Sequence, residues 1–117
     1  MKIKEIRELL GAELLSGEEY LENDVCSACC SDMMSDVLAY VKDQGVLITG
    51  LVNPQVIRTA NMMDMVCIVF VRDKKPSEEI LSLAEENGIV VMTTSFRMYD
   101  ACGILYQNGL QGAAING

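Results

Sequence analysis

The run Met65-Val66-Cys67-Ile68-Val69-Phe70-Val71, closed by Arg72-Asp73-Lys74-Lys75-Pro76 and followed by Ser77-Glu78-Glu79-Ile80-Leu81, decides the fold. An unbroken apolar run that ends in a polar turn reads as a strand covered on both faces, because a strand with one wet face alternates apolar and polar residues. Strands covered on both faces belong to parallel sheets flanked by helices. The segment that follows has the marks of such a helix. Ser77 suits the N-cap, Glu78 and Glu79 lie where the helix dipole favours negative charge, and Ile80, Leu81, Leu83 and Ala84 share one face before Asn87-Gly88 ends it. Ile89 to Met92 is a second buried strand, so residues 65–92 make one βαβ unit.

The same alternation extends in both directions. Toward the C-terminus, Thr93-Thr94-Ser95 leads into a last helix that ends near Asn108-Gly109. Upstream, Asn53-Pro54 opens a helix that runs to about Met63, with Pro54 in the first turn where its missing N–H costs nothing. Val46 to Thr49, closed by Gly50, is a short β-branched strand, and Ser31 or Asp32 opens the helix before it, which Gly45 ends. Val25 to Cys30 reads as a buried strand of small residues, Ser16 to Asn23 as an acidic turn, and Ala12 to Leu15 as a short strand. Ile3, Ile6, Leu9 and Leu10 recur at helical spacing, with Gly11 as the stop. The expected architecture is a single α/β domain over residues 1–112, with a mostly parallel sheet of four to five short strands and helices packed on it. Residues 113–117 are expected to form a flexible tail.

Composition narrows the function. The chain has 117 residues, half of them apolar, and a formal net charge of -8. One domain accounts for that length, and disorder is excluded by the apolar content. The acidic balance speaks against nucleic acid and against anionic membrane as partners. No apolar run reaches a membrane-spanning length, and the charged N-terminus lacks the apolar centre of a signal peptide, so the expected setting is cytoplasmic. There the five cysteines are expected to be reduced thiols, and their odd number fits a closed disulfide framework poorly. The absence of histidine removes the commonest general base and the commonest metal ligand.

Open α/β sheets bind ligands beyond the carboxyl ends of their strands. The residues found there are Ser31 and Asp32, then Thr49, Gly50 and Asn53, then Arg72, Asp73 and Lys74, and finally Thr93, Thr94 and Ser95. Hydroxyls and amides at helix N-termini suit phosphate or carboxylate, but they are also ordinary capping residues. The candidate ligand site is therefore Ser31, Asp32, Thr49, Gly50, Asn53, Thr93, Thr94 and Ser95, weighed against capping alone. No P-loop and no G-x-G-x-x-G is present, so a Walker-type nucleotidase and a dinucleotide oxidoreductase lack support, and no cofactor is implied.

Cys26, Cys29 and Cys30 form a Cys-x-x-Cys-Cys run. A metal or redox site is one reading of it. Packing is the other, since residues three apart in a strand point to opposite faces and buried cysteine behaves as a small hydrophobe. Cys67 and Cys102 take the packing reading too. Enzyme chemistry has only scattered carboxylates, Asp32, Asp36, Asp73 and Asp100, and Cys29 or Cys102 as a nucleophile, none with a partner base at useful spacing. The eight methionines, with Met33, Met34, Met62, Met63 and Met65 clustered at helix ends, either fill the core or form a homodimer face.

Several stretches together resemble one family. Ser31-Asp32-Met33-Met34-Ser35-Asp36-Val37-Leu38, Leu47-Ile48-Thr49-Gly50-Leu51, Gln55-Val56-Ile57-Arg58-Thr59-Ala60, Ile68-Val69-Phe70-Val71-Arg72 with Lys75-Pro76, Thr93-Thr94, and Ala101-Cys102-Gly103-Ile104-Leu105-Tyr106 resemble the DRTGG domain over most of residues 1–112. A contiguous Asp-Arg-Thr-Gly-Gly string does not occur. The resemblance implies a fold similar to the N-terminal domain of HPr kinase/phosphorylase. It also implies a regulatory or dimerising unit of the kind that accompanies phosphotransacetylases and CBS-domain pyrophosphatases, with no catalytic residues to carry over. The expectation is a stand-alone, non-catalytic sensing or dimerisation domain. Its partners would be a nucleotide or other small anion, a protein, or a second copy of itself.

Overall fold

A computed structural model describes residues 1–40 and 44–112. The elements run α1 (Ile3–Leu10), β1 (Glu13–Ser16), a single 3-10 turn (Glu18–Tyr20), β2 (Ala28–Cys30), α2 (Met34–Tyr40), β3 (Val46–Thr49), α3 (Pro54–Met62), β4 (Cys67–Phe70), α4 (Glu78–Glu86), β5 (Val90–Thr93) and α5 (Met98–Gln107). The expected tail at 113–117, and residues 41–43 of the helix expected to end at Gly45, lie outside the described residues.

The five strands form one sheet in the order β1-β5-β4-β3-β2. β2, β3, β4 and β5 are parallel neighbours, and β1 closes the β5 edge antiparallel. Alternation along each strand sorts side chains between two cores. On one face Val46, Ile48, Cys67, Val69, Val90 and Met92 meet Ile3, Ile6 and Leu10 of α1 and Ala101 and Leu105 of α5. On the other, Leu47, Ile68, Phe70 and Val91 meet Val37 of α2, Val56, Ile57 and Ala60 of α3, and Ile80 and Ala84 of α4. The sheet is thus a middle layer covered on both faces, as the unbroken apolar run of β4 requires; all four residues of that strand are buried.

The local signals act as expected at several helix ends. Gly11 takes the left-handed conformation that stops α1, Pro54 opens α3, and the Ser77 hydroxyl accepts the Ile80 N–H at 3.4 Å to cap α4. One expectation needs correction. The strand expected over Val25 to Cys30 is only Ala28–Cys30, half-buried to exposed, because it is the sheet edge and pairs with β3 alone. Val25 is buried, but it packs in the α1 and α5 core and its N–H goes to the Met1 carbonyl, so its burial is not that of a strand residue.

Candidate functional site

The carboxyl ends of β2 to β5 and the loops after them form one rim, and the path of the chain shapes it. After β4 the chain turns to α4, on the face of α2 and α3. After β5 it turns to α5, on the opposite face. The two loops therefore leave neighbouring strands in opposite directions, the arrangement that opens a crevice in such sheets. Here backbone hydrogen bonds bridge the gap. The Arg72 N–H donates to the Phe96 carbonyl at 2.9 Å and the Asp73 N–H to the Thr94 carbonyl at 2.8 Å. Arg72 and Asp73 take positive φ, 59° and 55°. That region is costly for residues with a Cβ, and two in succession at a strand end persist only where the surroundings enforce them. The two bridging bonds do so.

This backbone aims the Arg72 side chain across the end of β3. Gly50 is the floor: a methyl group there would lie 3.1 Å from the Arg72 guanidinium and 3.4 Å from Asp32 Oδ1. Opposite, Asp32 Oδ1 accepts the Gly50 N–H at 2.6 Å and the Thr49 hydroxyl at 3.1 Å. These bonds to a carboxylate are of the stronger kind and tie the loop after β2 to the loop after β3. Lys74 Nζ donates to the Gly50 carbonyl at 2.7 Å and brings a second cation to the same loop. Among the described residues the Arg72 guanidinium has no ion pair. Asn53, at the N-terminus of α3, does not cap the helix with its side chain, and its buried Oδ1 has no hydrogen-bond partner among the described residues. A buried acceptor left without a donor is uncommon and calls for an explanation.

Asp32, Thr49 and Gly50 thus come together, and Arg72 and Lys74 join them; Asn53 follows Gly50 by three residues at the start of α3. Thr93 and Thr94 are buried and committed elsewhere. The Thr93 hydroxyl donates to the Lys74 carbonyl at 2.7 Å, and the Thr94 hydroxyl donates to the Leu10 carbonyl at 2.8 Å, satisfying an end carbonyl of α1. They brace the rim from behind. Ser31 turns back on the Met33 backbone, accepting its N–H at 3.0 Å, and Ser95 is exposed on the loop to α5. The sequence pointed to the end of β4, but no local signal marked Arg72 as the residue aimed over Gly50. Its positive φ comes from partners on the β5 loop.

The cysteines do not gather. Cys30 is disulfide-bonded to Cys102 of α5, which corrects the expectation that both are free thiols. Cys29 faces the other core, beside α2, where burial first and the Asp36 charge second push its thiol pKa up. Cys26 is exposed ahead of the strand, and Cys67 is buried in β4, where burial pushes its thiol pKa up. Among the described residues no cluster of three metal-ligating side chains forms. The carboxylates weighed for an enzyme are dispersed, with Asp36 on α2 and Asp100 on α5 in opposite layers. A concavity of about 290 Å³ lies at the other end of the sheet, between Gln44, Asn61, Asp64, Met65, Val66, Asn87 and Gly88. It holds amides and a carboxylate but no cation, so it suits an anion less than the Arg72 rim does. No described helix is long and apolar enough to cross a membrane.

Comparison with known proteins agrees with this fold. No curated protein matches the chain. Among solved structures, the CBS and DRTGG domains of the regulatory region of Clostridium perfringens pyrophosphatase, complexed with the activator diadenosine tetraphosphate, are similar in fold. The TM-score is 0.71 at 20% sequence identity, over 91% of this chain and 46% of that one, so this chain spans about half of its neighbour. The DRTGG domain model matches residues 5–107. All five strands and every described helix but the first two residues of α1 lie inside that match, and the chain belongs to the DRTGG domain family.

Proposed function

We propose that this domain is a non-catalytic regulatory module that senses a nucleotide or another small anionic ligand at the rim formed by Asp32, Thr49, Gly50, Asn53, Arg72 and Lys74. The observation that carries the reading is the Arg72 guanidinium, held over the bare Cα of Gly50 without an ion pair and facing Asp32. A guanidinium binds a phosphate or carboxylate through two parallel hydrogen bonds. The neighbouring Asp32 carboxylate accepts hydrogen bonds and suits hydroxyl or amino groups of the same ligand. A nucleotide carries both kinds of group. The pyrophosphatase regulatory region, with its bound diadenosine tetraphosphate, supports the same ligand class. Ser31 and Ser95 lie at the margin of the proposed site, and Thr93 and Thr94 act as its scaffold.

The reading includes a cytoplasmic setting and a second copy of the chain as partner. Met33 and Met62 are exposed at 59% and 68%, and Leu38 on α2 is exposed as well, so apolar side chains of the α2 and α3 layer face outward. Light scattering that gives a monomeric mass would remove the dimer.

The ligand site is tested by thermal shift against adenine nucleotides, inorganic polyphosphate and small carboxylates. A ligand at 100 times its Kd adds about 2.7 kcal/mol, a rise of roughly 10 °C for a domain this small. Arg72→Ala and Gly50→Val each remove that rise while leaving the ligand-free melting temperature within a few degrees. A full rise retained in both variants moves the ligand elsewhere.

A further inference from the structure

We propose that Cys30 and Cys102 form a reversible thiol–disulfide pair whose state sets the order of the Asp32 side of the rim. The bond joins residues 72 apart in sequence and ties the last residue of β2 to α5. β2 is only three residues long, lies at the sheet edge and pairs with β3 alone; beyond that pairing the Ala28 N–H donates to the Gln111 carbonyl at 2.9 Å and the Ser31 N–H to the Ile48 carbonyl at 3.1 Å. Immediately after Cys30 come Ser31 and Asp32, and Asp32 holds the Gly50 N–H. The backbone bond of Ser31 and the side-chain bonds of Asp32 run to β3 and the loop after it, so the covalent tie to α5 adds a separate anchor that bears on how firmly Asp32 is placed. Edge elements with few anchors open most readily.

Geometry also favours this pair over Cys29 and Cys67. Cys30 is exposed, and Cys102 borders an open apolar groove of about 600 Å³ lined by Tyr99, Gly103, Tyr106 and Gln107. Cys67 is inaccessible, and Cys29 points to the opposite face of the sheet. The groove admits a small disulfide of the glutathione class as oxidant. The Cys102 thiolate attacks one sulfur of that disulfide and expels one small thiolate. The Cys30 thiolate then attacks Cys102 Sγ in the mixed disulfide and releases the second. The protein loses two electrons and two thiol protons, and the small disulfide becomes two thiols. In a reducing compartment a disulfide is ordinarily of this transient, sensing kind.

The test uses the free protein in buffers of oxidised and reduced glutathione, so its outcome is independent of whether the rim takes a ligand. Mass spectrometry of alkylated peptides reads the pairing, and amide hydrogen exchange reads the rim. We expect a Cys30–Cys102 peptide in the oxidising buffer and both thiols alkylated in the reducing one. Reduction should speed exchange in residues 28–32 and at Gly50 by about tenfold or more and leave β4 unchanged. Cys102→Ser should match the reduced protein in both buffers; should that variant not fold, the wild-type comparison stands alone as the test. Alkylation of both thiols in the oxidising buffer, pairing of either with another cysteine, or equal exchange in the two states would overturn the proposal.

Discussion

Phe70→Ala lowers the unfolding free energy by about 3–5 kcal/mol, as expected for removing a fully buried aromatic ring. Among the described residues Phe70 is the largest of the wholly buried side chains, and it is the last residue of β4, the central strand of the sheet. Its ring packs in the core formed with α2, α3 and α4. Its backbone also serves the rim, since the Phe70 carbonyl accepts the Thr94 N–H at 2.9 Å. Truncation therefore leaves a cavity directly behind the loop that carries Arg72. With total stabilities of about 5–15 kcal/mol in domains of this kind, the variant sits near the folding threshold. Urea unfolding followed by circular dichroism checks the expectation. A loss below about 1 kcal/mol would mean that the ring is not central to the core.

Gly17→Ala costs about 2–5 kcal/mol, from two sources. Gly17 has φ 90°, outside the range that residues with a Cβ adopt readily, at a cost of roughly 1–2 kcal/mol. An added methyl would also lie 2.8 Å from Val90 Cγ2 and 2.9 Å from Val90 Cα, and overpacking of this kind costs typically about 1–3 kcal/mol. The Cα cannot yield by a rotamer change, so β1 must shift relative to β5 at their antiparallel pairing. The same substitution at Gly103, where a methyl meets nothing within 4 Å, is the control, and a helix interior favours alanine there. Thermal melts of the two variants separate the effects: Gly17→Ala should fall by roughly 10 °C and Gly103→Ala should hold or rise. Equal melting temperatures would contradict the packing at Gly17.

Much of the fold was legible because its signals are local. β4 is apolar throughout, and only a strand covered on both faces tolerates that. Ser77, Pro54 and Gly11 mark helix ends through chemistry that acts within a few residues. The extent of β2 was not legible, because Val25 to Cys30 is uniformly small and apolar but for Ser27, and nothing in the sequence shows that its partner pairs with only three of the residues. The site divides in the same way. Position beyond the strand ends singled out Asp32, Thr49 and Gly50. The commitment of the Thr94 hydroxyl to Leu10, 84 residues away, had no local mark. Neither did the bond between Cys30 and Cys102, nor the positive φ of Arg72 and Asp73, which arises from carbonyls on the β5 loop. Non-local partners, rather than composition, separate the scaffold hydroxyls from the groups left facing outward.

The central claim is that the rim around Gly50 is the ligand site. The most direct measurement is a titration of ¹⁵N-labelled protein with an adenine nucleotide or polyphosphate that raises its melting temperature, followed by amide chemical shifts. The account predicts that the largest shifts fall at residues 31–32, 49–53 and 72–74, with the Gly50 amide among the most affected, and that Arg72→Ala abolishes them. Shifts concentrated at the opposite end of the sheet, around Asn61, Asp64 and Asn87, with the Gly50 amide unmoved, would contradict it.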